Sequence, residues 1–179
     1  MKSPDRIKAI REGGMVERCH TKHLHREYKV GQHSFNMLGI LMVFHPKPSA
    51  DLLKAVVLHD VPERWTGDLP TPVKKISPGI KKEIYAFEKK VLKQIHPEIY
   101  LSTLDEQWLK AADMLELWQW CREEIALGNS SVVSMYQECH DIIIELRRSG
   151  KIPEPICDYI DNEREHTFLS DMPNKVFDL

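Results

Sequence analysis

No apolar run in this chain is long enough to cross a bilayer. The longest, MLGILMVF at 37–44, falls well short of the roughly 20 residues a spanning helix needs. The opening stretch MKSPDRIKAIREGG is charged from its second residue and does not read as a secretory leader. A dominant sign of charge is missing too: 25 Lys and Arg face 27 Asp and Glu, for a formal net charge of −2. Proteins that track a phosphate backbone carry a clear basic excess, so the expectation is no nucleic-acid partner and no membrane partner. Any phosphate bound here belongs to a small ligand held by a few local cations. The four cysteines, Cys19, Cys121, Cys139 and Cys157, include no C-x-x-C pair and read as reduced thiols of a soluble cytoplasmic protein. Internal repeats, low-complexity tracts and Pro/Gly/Ser linkers are absent as well, so residues 1–179 are expected to form one domain. A chain of this length buries roughly 70% of its unfolded surface and needs no disulfide or structural metal to fold.

Strand patterning is the next absence. Apolar residues recur at helical spacing, with no convincing period-two run, which predicts an all-α helical bundle of six to seven helices. The expected helices span 4–12, 32–45, 49–64, 79–95, 104–127, 131–149 and 153–164. Pro46 and Pro48 separate the second from the third, Gly67, Pro70 and Pro72 follow the third, and Gly128-Asn129 ends the long one. Ser49 and Ser77-Pro78 are plausible helix starts. Trp108, Trp118 and Trp120, with Phe87 and Leu92, read as packing residues, and Glu123, Glu124 and the Lys/Glu run at 81–90 as solvated faces.

What is present is polarity in costly places. Helix 49–64 is apolar nearly all round, yet its last turn carries His59, Asp60 and Glu63, three or four residues apart and able to share a face. Asp68 follows on a loop that Gly67 lets turn back. In helix 104–127, Asp113 falls within the stripe Leu109, Ala112, Leu117, Trp120. A buried, unpaired carboxylate is expensive, so two of them call for a shared cation or for Arg partners. His33, in the first turns of a helix after Gly31, completes a set of two imidazoles and two carboxylates, His33, His59, Asp60 and Asp113. Such a mixed N/O set suits a divalent transition metal with open positions for water and substrate, which is hydrolytic chemistry.

The H…HD…D order of these residues resembles the HD-domain phosphohydrolases, an all-helical superfamily. The run HDVPERWTGDLPTPVKK and the helix KAADMLELWQWCREEIALGN are similar to the bacterial HD-domain 5′-deoxynucleotidases. VERCHT and YKVGQHS also resemble a small phage branch that includes dATP triphosphohydrolases. The matches cover roughly residues 15–130. The resemblance implies metal ligation by His33, His59, Asp60 and Asp113, by Co, Zn or Mn, with Mg as a possible second ion. It implies Glu63 as general acid/base, Asp68 as a second acid positioning water, substrate or another metal, and Arg18 as the phosphate-binding arginine. Lys74 and Lys110 are placed on a longer phosphate chain; as plain surface lysines they would do nothing. The implied substrate is a deoxynucleotide, with a dATP-preferring triphosphohydrolase ahead of a 5′-deoxynucleotidase, and the implied assembly is a homo-oligomer in the bacterial or infected-cell cytoplasm.

One departure matters. The bacterial enzymes carry Trp directly after the arginine, and here that position is Cys19. Base and sugar recognition therefore cannot be carried over, leaving Cys19, Thr21, Lys22 and Trp65 as candidate lining residues. A zinc knot of Cys19, His20, His23 and His25 lacks paired ligand spacing. A non-catalytic nucleotide sensor and a nuclease are the other classes; intact ligands speak against the first and the missing basic surface against the second.

Overall fold

Reciprocal capping starts the longest helix: the Ser102 side chain accepts from the Asp105 backbone N–H, and the Asp105 carboxylate accepts from the Ser102 N–H. The helix, α7, spans Thr103–Ala126 in the computed structural model, which describes residues 1–165. Its companions are α1 (Ser3–Gly13), α2 (Val30–Phe44), α3 (Ala50–Leu58), α4 (Glu63–Thr66), α5 (Thr71–Ile76), α6 (Pro78–Ile95), α8 (Val133–Arg148) and α9 (Glu154–Glu165), with a short 3-10 turn at Ser130–Val132. The fold is all-α, as expected; among the described residues the only β pairing is a Glu17–Lys29 bridge. No described helix is long and apolar enough to cross a membrane. Residues 166–179 of the expected single domain lie outside the described residues.

The main core packs α2, α3, α8 and α9 around α7 through Met37, Leu41, Leu52, Val56, Leu115, Trp118, Ile143 and Ile156. A second cluster, Ala9, Leu58, Val61, Val91 and Ile95, fastens α1 and α6 to the end of α3. The two meet where α3 stops, which is where His59 and Asp60 stand. A third cluster of Tyr28, Trp120, Cys121 and Val132 seats the 15–29 loop on α7. Ser49 caps α3 as expected, its Oγ accepting from the Leu52 N–H at 3.0 Å. Ser77 precedes α6 but makes no side-chain cap.

Three expectations are corrected. The single helix expected over 49–64 ends at Leu58 and resumes as α4 after a turn. Pro62 has no N–H to give the Leu58 carbonyl, which instead accepts from Val61 at 3.1 Å. The helix α5 was missed because 71–76 lies among three prolines; Pro72, near its first position, tolerates a helix start. Glu124 is fully buried, not solvated. Its carboxylate accepts from the His25 N–H at 2.9 Å, Arg26 Nε at 2.8 Å and Asn129 Nδ2 at 2.8 Å, and so ties the 15–29 loop to α7. The three tryptophans are buried, whereas Phe87 is 42% exposed.

Close backbone approach sets the junction beside the site. A Cβ on Gly13 would stand 2.8 Å from the Val61 carbonyl oxygen. Gly13→Ala is expected to cost on the order of 2 kcal/mol by overpacking, read as a lowered thermal unfolding midpoint; an unchanged midpoint would contradict this packing.

Candidate metal centre

His33 and His59 reach one point from α2 and from the end of α3, each with one ring nitrogen already committed. The His59 Nδ1 lies 2.9 Å from the Val56 carbonyl. A carbonyl only accepts, so Nδ1 carries the proton and Nε2 presents its lone pair. The His33 Nδ1 bonds to Glu116 Oε2, which imposes the same tautomer. Both Nε2 atoms are buried without a hydrogen-bond partner. Asp60 Oδ2 stands 3.2 Å from His59 Nε2 and 3.9 Å from His33 Nε2, and the ligand atoms of this trio all lie within 4.8 Å of one another. Donors on a transition metal at about 2.1 Å sit roughly 3–4 Å apart, so two imidazoles and a carboxylate at these separations fit such an ion. No other group of this kind occurs among the described residues. His20, His23 and His25 are exposed on the loop.

Asp113 is on the shoulder of this set. Its Oδ1 is 3.4 Å from His33 Nε2, while its Oδ2 pairs with Lys110 at 2.9 Å. Asp113 faces the centre, and Lys110 is engaged with it. Against the cost of burial, His33, Lys110 and His59 hold the Asp113 carboxyl well below the usual range. Burial likewise opposes the charge on Asp60, but His59 and Arg18 keep its carboxyl below the usual range. Although burial disfavours the His59 imidazolium, Asp60 draws that ring up to about 9, so a cation competes with a proton for Nε2.

Arg18 reaches Asp60 from the 15–29 loop through an Nη1–Oδ2 contact, lies over the Tyr28 ring at 5.3 Å, and keeps Nε buried without a partner. Its chain position is held by the Arg18 N–H donating to the Tyr28 carbonyl at 2.8 Å. Asp68 returns beneath the loop, as Gly67 at φ 69° permits, and accepts from the Cys19 N–H at 2.7 Å. Cys19 itself is left-handed, at φ 55°, a conformation costly for a residue with Cβ that the Asp68 bond offsets. Burial pushes the Cys19 thiol up to about 12, which leaves it inert as a nucleophile at neutral pH. Glu63 is 8% exposed with Oε2 unpartnered; burial first, then Asp60 and Asp68, lift its carboxyl to about 8.

No hydrogen bond or ion pair joins the other candidates to the trio among the described residues. Trp65 is 42% exposed and stacks under Arg64 at 4.6 Å. Thr21 and Lys22 are exposed on the loop. Lys74 is half-buried near Glu88. Sequence reasoning missed Glu116 and Tyr28. Glu116, 3% exposed, accepts from His33, from the Tyr28 hydroxyl and from Asn36 Nδ2 at 3.0 Å. The available signal was a second acid one turn after Asp113 in the same apolar stripe. Glu116→Gln is expected to weaken metal binding about 10–100-fold, the usual cost of losing an orienting partner, measured by competition with a chromophoric chelator. Wild-type affinity would refute the orienting role.

Comparison with known proteins bears on kinship and fold. A profile of the 5′-deoxynucleotidase YfbR-like family matches residues 7–152. The 5′-deoxynucleotidase YfbR of an Escherichia coli O127:H6 strain is 35% identical over 109 residues, 52% of this chain and 54% of its own length. The Shigella boydii counterpart is 34% identical over the same extent. The match thus spans about half the length of these curated relatives. Among solved structures, an HD-domain phosphohydrolase from Listeria innocua superposes with a TM-score of 0.72 at 20% identity, covering 96% of this chain and 89% of that one. The cyanophage S-2L HD phosphohydrolase DatZ, bound to dA and one catalytic Zn2+ ion, gives 0.66 at 14% identity over 93% and 98%. These two show the fold, and the profile shows the kinship: the chain belongs to the YfbR-like 5′-deoxynucleotidase family.

Proposed function

We propose that this protein is a metal-dependent phosphohydrolase that breaks the bond between the 5′ oxygen of a deoxynucleoside and its α-phosphorus. The observation that carries this reading is the convergence of the two unpartnered Nε2 atoms and Asp60 on one point, with Arg18 against the same carboxylate. His33, His59 and Asp60 would hold Co, Zn or Mn, with Asp113 at the edge of the set and Mg as a second ion. Held there, such an ion would supply a water of lowered pKa and polarise a phosphoryl oxygen. Arg18 offers its remaining N–H donors to the phosphoryl group, with the geometry that suits bidentate contact. Glu63, its proton held up to about 8, is suited to protonate the leaving 5′ oxygen. Asp68 acts through Cys19, fixing the loop that carries Arg18.

Mono- and triphosphates share this bond. Within the proposal the favoured substrate is a deoxynucleoside triphosphate, dATP first, released as deoxynucleoside and triphosphate. Support comes from a cavity of about 760 Å³ that opens on His59 and Asp113, more room than one phosphate requires, and from the dA carried by the cyanophage structure. The second reading, hydrolysis of a monophosphate to deoxynucleoside and phosphate, is favoured by the family and by the curated relatives. A cytoplasmic setting is consistent with either.

A homo-oligomer is also proposed. α2 carries no charged residue, and its outer face exposes Phe35, Met42 and Val43 beside an apolar groove of about 210 Å³ lined by Ile10, Leu38, Val57 and Val61. Phe35 itself lines the groove, so one face could meet its own copy, as a two-fold interface requires. Light scattering should give more than one chain's mass for the wild type and a smaller particle for Phe35→Glu; a monomeric wild type removes the idea.

Incubating the protein with Co, Zn, Mn or Mg and either dATP or dAMP, then resolving products by ion exchange, tests the reaction. Tripolyphosphate from dATP is expected, lost in Asp60→Ala and reduced roughly 10²–10⁴-fold in kcat by Glu63→Gln. Turnover of dAMP alone would give the monophosphate reading the site, and binding without any turnover would leave a nucleotide sensor.

A further inference from the structure

A cavity of about 760 Å³ opens on one side of the proposed metal centre. His59, Asp113 and Lys110 form its inner end, α6 contributes Tyr85, Glu88, Lys89 and Lys93, and no residue of the 15–29 loop lines it. Lys89 and Lys93 stand one helical turn apart, a like-charge spacing that costs an isolated helix about 0.2–0.5 kcal/mol. Lys54, Lys75 and Lys110 each pair with an acid. Lys89 and Lys93 make no ion pair among the described residues. Of the acids on the same wall, Glu88 accepts from the Thr66 hydroxyl at 3.3 Å, and burial lifts its carboxyl above the usual range, which weakens its claim on the lysines. Glu106 sits one turn before Lys110 on α7, across from them.

In-line displacement at the α-phosphorus sends the nucleoside and the remaining phosphates away from that atom in different directions. The loop side is closed by Arg18 on Asp60 and by Cys19 on Asp68. The α6–α7 side is the roomy one, and its two uncommitted ammonium groups suit an anion of higher charge than a monophosphate.

We propose that this cavity is a subsite for the β- and γ-phosphates of a nucleoside triphosphate, held by Lys89 and Lys93 with Lys110 at its inner end. The inference rests on the reading that the α-phosphorus is attacked at the metal centre. A polyphosphate lying along α6 would offset the repulsion between the two lysines and leave the adenine and sugar outside this cavity.

Equilibrium dialysis of metal-loaded Glu63→Gln protein, which slows chemistry, against dATP and dAMP tests it. The expected result is dATP bound at least tenfold more tightly than dAMP. Adding Lys89→Gln and Lys93→Gln should erase that preference while leaving the dAMP dissociation constant within about twofold. Equal binding of dATP and dAMP in the parent would overturn the subsite. So would a preference for dATP that survives loss of both lysines. Weakening of dAMP and dATP alike would place the base or the shared phosphate in the cavity and overturn it as well. The reaction reading fails separately: if wild-type protein releases no tripolyphosphate from dATP yet the lysine-dependent preference is found, the subsite stands and the assigned reaction falls.

Discussion

Everything at the centre depends on where two imidazole protons are held. Because the Nδ1–H of His59 donates to the Val56 carbonyl and that of His33 to Glu116, both Nε2 lone pairs are free to face Asp60. A neutral imidazole donates to a metal only through the nitrogen that lacks a proton. The two fixing groups come from different levels of structure. The Val56 carbonyl is backbone, available because the helix breaks around it. Glu116 is a side chain delivered by α7 from the opposite wall. Helix ending and helix packing thus meet in one donor set.

The same centre has to manage a crowd of charge. Asp60, Asp113, Glu63 and Glu116 are largely withdrawn from water, and each alone would be costly to bury. Compensation is divided: Arg18 and His59 face Asp60, Lys110 and His33 face Asp113, and Tyr28, Asn36 and His33 satisfy Glu116. Glu63 makes no ion pair among the described residues, and burial first, then the charges of Asp60 and Asp68, raise its proton affinity. Its environment thus differs from that of its three neighbours, which are held charged.

Much of this was legible in the sequence, for reasons that differ by element. The long helices declare themselves by period, and His59-Asp60 and Asp113 stand out as polar residues inside apolar patterns. Such anomalies are visible locally. Glu116 sits in the same kind of stripe, but its partners, His33 and Tyr28, are 83 and 88 residues away, and no periodicity reports that distance. The break at Pro62 was written in the sequence, yet the apolar run before it argued for continuity. Glu124 illustrates the same difficulty: beside Glu123 it looks like one half of a solvated pair, and only the folded loop reveals three donors waiting for it.

The 15–29 loop then acquires a structural logic of its own. It has almost no secondary structure, so its order must come from outside, and it is pinned at four places: Glu124 holds His25 and Arg26, Asn129 and Ser131 donate to the His23 carbonyl, Tyr28 stacks on Trp120 at 4.3 Å, and Asp68 holds Cys19. Tyr28 also bonds to Glu116, so the loop is tied directly to the acid that orients His33. Arg18 lies between the Tyr28 and Cys19 anchors. Its reach to Asp60 is therefore set by α7 on one side and by the turn after α4 on the other, and a change in either would move the guanidinium relative to His33, His59 and Asp60. At position 19 the loop uses a backbone N–H in a left-handed turn and a side chain whose Sγ meets the Met135 sulfur at 3.6 Å.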